Sequence, residues 1–159
     1  MGVLNRLSRL LIGGSGAATE EVAVRLAQAY LDCARRATQL LWHAEMAPQQ
    51  QSAEALKRLA AGEEEQRGRL RQALEAAGAR VPPVAPEQPR RGALNHWARL
   101  VQDLEAHRGA VQLFRELAMR FAESLPQTAG LFEVLCREEA AHCEDLRALI
   151  ARADPQALD

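Results

Sequence analysis

Apolar residues return every three or four positions through four stretches of this chain, the spacing that marks one face of a helix. The first predicted helix follows Thr19, whose hydroxyl can cap it, with Glu20 and Glu21 in the first turn. Its stripe is Val22, Leu26, Ala29, Cys33, Ala37, Leu40 and Ala44, and Pro48 breaks the pattern. The second, over about residues 50–77, runs on Leu56, Leu59, Glu63, Gln66, Leu70, Leu74 and Ala77, with Gly78 as a natural stop. The third, over about residues 92–124, is placed on Leu94, Trp97, Val101, Leu104, Arg108, Val111, Ala118 and Phe121, with Glu105 beside Leu104 and Pro126 ending or bending it. The fourth, over about residues 127–152, runs on Phe132, Leu135, Glu139, His142, Leu146 and Leu149.

The connections set the topology. Helices one and two are separated by a few residues, as are three and four, so each pair forms an antiparallel hairpin. Residues 79–91 carry four prolines, which forbid a helix and stiffen the segment. At about 3.3 Å per residue this strap reaches roughly 43 Å, the length of a helix of about 28 residues. The expected fold is therefore all-α: a four-helix bundle with one long crossover between helices two and three. The bundle is expected over residues 19–152, with a short amphipathic arm at 1–18 and a tail at 153–159. The arm sets Leu4, Leu7 and Leu11 on one helical face and is a candidate for docking on the bundle or on a protein partner.

Composition narrows the function. In 159 residues, 48% hydrophobic and 26% charged content excludes wholesale disorder. A formal charge of -1, with only small clusters such as Arg35-Arg36 and Arg90-Arg91, argues against a nucleic-acid partner. Three cysteines, Cys33, Cys136 and Cys143, are no disulfide framework, and a cytoplasmic location is expected. No apolar run approaches the roughly 18 to 20 residues of a membrane span. There is no phosphate loop, nucleophile elbow or His-Glu-x-x-His helix.

The chemistry lies where polar residues interrupt the apolar stripes. Glu139 and His142 are three apart on helix four and share a face. Glu63 and Gln66 repeat that spacing on helix two, Glu105 is placed at a similar level on helix three, and Cys33 at that depth on helix one. Unpaired buried carboxylates cost several kcal/mol or take up a proton. A hard cation is the direct remedy, and carboxylate with imidazole suits iron or manganese, with zinc also admissible. His43, His96 and His107 read as surface or end groups.

This pattern resembles the ferritin-like diiron proteins, in particular the rubrerythrin branch, over about residues 19–152. That family uses a Glu on helix one, Glu-x-x-His on helix two, a Glu on helix three and Glu-x-x-His on helix four. Glu139 and His142 keep the last pair and Glu105 matches the third helix. Gln66 stands where helix two would carry His, and Cys33 or Asp32 where helix one would carry Glu. The resemblance implies one or two iron ions at a partly degenerate centre of Glu63, Glu105, Glu139 and His142. It implies non-haem iron oxidoreductase chemistry, a ferroxidase or peroxidase-like use of iron with oxygen or peroxide, and a homo-oligomer with a dimer favoured.

Three arrangements stay open. One metal could sit on Glu105, Glu139 and His142, with or without Glu63. Two could bind with Cys33 as an unusual ligand. Or Arg108, one turn from Glu105, could neutralise the carboxylates, leaving a non-enzymatic helical scaffold or binding module.

Overall fold

The computed structural model describes residues 16–86, 88–90 and 95–156. Its helices are α1 (Gly16–Glu45), α2 (Gln50–Ala76), α3 (His96–Phe121) and α4 (Pro126–Ile150). The chain pairs α1 with α2 and α3 with α4 along their lengths, and the two hairpins meet through α1 with α3 and α2 with α4. The extended, proline-rich strap joins them, giving the expected bundle and crossover. Most of the predicted arm, residues 1–15, lies outside the described residues; its last three expected positions belong to α1.

The ends follow local chemistry. Gly78 has φ 69 and closes α2: its N–H donates to the Glu75 carbonyl at 3.1 Å, and the Ala79 N–H to Leu74 at 3.0 Å. That double bond is the Schellman motif, which favours glycine at the left-handed position. Asn95 caps α3 by accepting the Ala98 N–H at 2.9 Å, and its amide donates to the Pro155 carbonyl at 3.0 Å. Pro126 begins α4 rather than bending α3, since its missing N–H falls among donors a first turn leaves free. The strap is clipped to α1 by Gln39, whose amide accepts the Arg90 N–H at 2.8 Å and donates to the Arg90 carbonyl at 3.4 Å.

The interior has two apolar parts. One gathers Val22, Leu26, Leu70, Leu74, Phe114, Phe121, Phe132 and Leu135, with Phe114 stacked on Phe132 at 6.1 Å. The other gathers Leu40, Leu56, Leu59, Leu100, Leu146 and Leu149. Between them every helix contributes a polar residue at one level: Arg36 on α1, Glu63 on α2, His107 on α3, Glu139 and His142 on α4. A polar layer across an apolar core must be satisfied internally.

The expected stripes of α1, α2 and α4 face the core, and that of α3 does so at Ala118 and Phe121, but from Val101 to Val111 it is displaced by one position. The buried line is Leu100, Asp103, His107, Ala110, Phe114, Leu117 and Phe121. Asp103 and His107 are polar, so apolar residues beside the line, Val101, Leu104 and Val111, drew the inferred stripe sideways. The correction moves two groups. Glu105 lies on the exposed face and pairs with Arg108 at 2.9 Å, so neither enters the core. His43, His96 and His107, expected at the surface or helix ends, are buried at 0%, 6% and 1% exposure.

Candidate metal centre

Glu63, His107, Glu139 and His142 each direct a ligand atom into one space, all within 4.8 Å of one another. His107 Nδ1 lies 2.7 Å from Glu139 Oε2 and 3.4 Å from Glu63 Oε1. His142 Nδ1 lies 3.4 Å from Glu63 Oε1 and 4.0 Å from Glu139 Oε2. Ligand atoms about 2.1 Å from a tetrahedral ion stand about 3.4 Å apart, so these separations bracket what one ion needs.

Each ligand is positioned by its helix. Glu139 and His142 sit one turn apart on α4, so both project from one face. His142 packs against Gly62 on α2, where an added Cβ would lie 2.7 Å from Nε2 and 3.0 Å from Cε1. The absence of a side chain at residue 62 lets Nε2 and Cε1 of the ring come close to α2 while Nδ1 faces Glu63. The rings of His107 and His142 meet edge to face, centroids 5.4 Å apart.

The outer carboxylate oxygens belong to Arg36. Its Nη2 is 2.9 Å from Glu63 Oε2, with Nε at 3.0 Å from the same oxygen, and Nη2 also lies 3.2 Å from Glu139 Oε1. Burial works against the Arg36 charge, but Glu63 and Glu139 hold the guanidinium firmly protonated. Burial alone would raise the Glu63 carboxyl; His142, Arg36 and His107 outweigh it and bring it down to about 2. Burial lowers the His142 pKa, yet contacts with Glu63 and Glu139 raise it on balance above its ordinary value.

Satisfaction is incomplete on the inner side. Among the described residues, Glu63 Oε1, His107 Nε2, His142 Nδ1 and Gln66 Nε2 are buried without a hydrogen-bond partner. Such atoms are costly in a core, and an ion bound by Glu63 Oε1 and His142 Nδ1 would satisfy two of them. The donor set of two carboxylates and two imidazoles fits iron, manganese or zinc.

Of the four residues expected from the sequence, the structure brings together Glu63, Glu139 and His142 and leaves Glu105 outside. His107 stands on α3 in its place. Its signal was present as the i+4 partner of Asp103 and i−7 partner of Phe114, hidden because histidine does not count toward an apolar stripe. Arg36, not Arg108, meets the carboxylates. Cys33 and Gln66, at the two positions where the family pattern fails, face each other with Sγ 3.9 Å from Gln66 Oε1. Burial pushes the Cys33 pKa well up, despite Arg36 beside it, so in the metal-free protein the thiol is neutral. Glu138 turns outward to a bidentate pair with Arg69 on α2.

A cleft of about 570 Å³ runs between α1, α3 and the strap, with Asp32, Arg36, Gln39, Arg90 and Asp103 among its walls. It brings solvent-side space to the outer edge of Arg36.

No protein-family model and no curated protein matches this chain. Among solved structures it is similar to the bacterioferritin-related protein from Bacteroides fragilis, described as a dodecameric thioferritin. The TM-score is 0.79 at 16% identity, covering 93% of this chain and 94% of that one. The chain shares the fold of that protein, closed here around two carboxylates, two imidazoles and a guanidinium.

Proposed function

We propose that Glu63, His107, Glu139 and His142 bind a transition metal, iron foremost, and that the protein uses iron with oxygen or peroxide as oxidant. The observation that carries this reading is the convergence of four ligand atoms within 4.8 Å while Glu63 Oε1 and His142 Nδ1 lack hydrogen-bond partners. Bound iron would supply one-electron redox chemistry and an open coordination position. The chain's own residues would hold and tune it. Glu63 and Glu139 bring negative charge, with Arg36 balancing part of it. His107 Nδ1 must yield the proton it shares with Glu139 Oε2 before it can act as a ligand. The intact Glu139-x-x-His142 pair supports a rubrerythrin-like placement, with manganese and zinc as alternative occupants.

Self-association belongs to the same reading. The similar Bacteroides fragilis protein is described as a dodecamer, and Val24 and Met119 are large apolar side chains exposed on α1 and α3. A dimer is the smallest assembly expected, and sedimentation velocity distinguishes it from a larger shell.

One observation favours a metal-free scaffold: Arg36 already pairs with one oxygen of each carboxylate. Elemental analysis separates the two. Protein expressed with iron and purified without an affinity metal should carry about one equivalent or more, lost in a Glu139→Ala, His142→Ala variant. Less than about a tenth of an equivalent of any transition metal in both proteins would leave the scaffold reading.

A further inference from the structure

The geometry points to a single-ion centre in which Arg36 takes the electrostatic place of a second metal ion. This rests on the metal reading above and concerns the number of ions and the residue that sets it.

The two carboxylates are divided by oxygen. Glu63 Oε2 and Glu139 Oε1 face Arg36, at 2.9 and 3.2 Å. Glu63 Oε1 and Glu139 Oε2 face the two histidines. A carboxylate pair that bridges two ions about 3.5–4 Å apart presents one edge to each. Here one edge is presented to a pair of imidazoles, good metal ligands, and the other to a guanidinium, which is always charged and donates only.

The surroundings on the Arg36 side agree. On that side Cys33, a buried thiol, lies 3.3 Å from Arg36 Nη2, and the Gln66 amide lies 3.9 Å from Cys33 Sγ. Neither is a strong ligand for a hard cation. Among the described residues the candidate ligand cluster is Glu63, His107, Glu139 and His142, and the carboxylates beyond Arg36, Asp32 and Asp103, line the cleft and are not part of it.

Charge leads to the same result. Glu63, Glu139 and Arg36 together carry one negative charge when both imidazoles are neutral. A divalent ion turns that into one positive charge. A second divalent ion would place three positive charges in a buried layer, which low-dielectric surroundings strongly disfavour. Arg36 is thus a specificity-determining residue for the count of ions.

Manganese(II) is the probe, because one ion per chain and two coupled ions differ in their electron paramagnetic resonance spectra. The wild-type chain should saturate at one Mn(II) with the spectrum of an isolated ion. Arg36→Glu, which exchanges the guanidinium for a ligand, should saturate at two with an exchange-coupled spectrum. Wild-type protein that takes two coupled ions overturns the inference, as does a folded Arg36→Glu chain that still takes one. If Arg36→Glu does not fold, the wild-type stoichiometry and spectrum decide alone. Wild-type protein that takes no Mn(II), iron or zinc overturns the metal reading itself, a result distinct from binding two.

Discussion

Gly62 leaves the space beside α2 that the His142 ring occupies. The 2.7 Å approach that a Cβ would make to Nε2 is closer than real contacts allow, so Gly62→Ala must displace the imidazole. The helix itself should gain from alanine by about 0.8–1.0 kcal/mol. The expected outcome is a metal affinity at least tenfold weaker by calorimetric titration, with circular dichroism and melting temperature unchanged or improved. A histidine that accommodates the methyl group without loss of affinity would show that Nδ1 is not a ligand. His142 also gives the apoprotein a pH signature. Burial lowers its pKa, but Glu63 and Glu139 raise it above the ordinary 6.5. Its protonated form therefore contributes stability that is complete below about pH 6.5 and is lost as pH rises through the folded-state value. Urea unfolding of metal-free protein from pH 6 to 9 should show this decline, and His142→Gln should flatten it. The carboxylate and histidine on α4 were legible in the sequence because they interrupt an otherwise apolar stripe at helical spacing. Arg36 was not, because long basic side chains usually run to solvent and nothing local shows that two carboxylates from other helices will meet one.

At the scale of elements, the helix limits follow from a few punctuating residues. Gly78 marked the end of α2 in the sequence and Pro126 a break after α3, and the structure places Pro126 in the first turn of α4. The face of α3 was misplaced because its core line contains Asp103 and His107. Asp103 is buried against His43, Oδ2 to Nδ1 at 2.7 Å, and a buried polar partner on another helix cannot be inferred from one helix alone. Polar pairs across helices carry no periodic signal. Asn95 supports both the start of α3 and the C-terminal turn after α4, through Ala98 and Pro155. Asn95→Ala should cost about 1 kcal/mol for the cap, read from the urea midpoint at constant slope. An unchanged midpoint would mean that neither bond contributes.

For the whole molecule, the seam between the hairpins matters more than any helix. Arg36 and Glu63 belong to the first hairpin, and His107, Glu139 and His142 to the second. The polar layer and the two apolar parts all cross that seam, while the strap joins the hairpins covalently and is clipped to α1 through Gln39. A protease site inserted at residues 84–86, which are exposed, should yield two half-chains that stay together on size exclusion. Half-chains that separate under native conditions would show that the strap, not the packed faces, holds the hairpins in register.

The buried guanidinium has a final consequence. In a bundle whose core carboxylates depend wholly on bound cations, removing the ions leaves uncompensated charge and loosens the fold. Arg36 cannot dissociate, and it already meets Glu63 and Glu139. The metal-free protein consequently keeps most of its internal charge balance, and an ion at the proposed centre would be exchangeable cargo rather than a rivet.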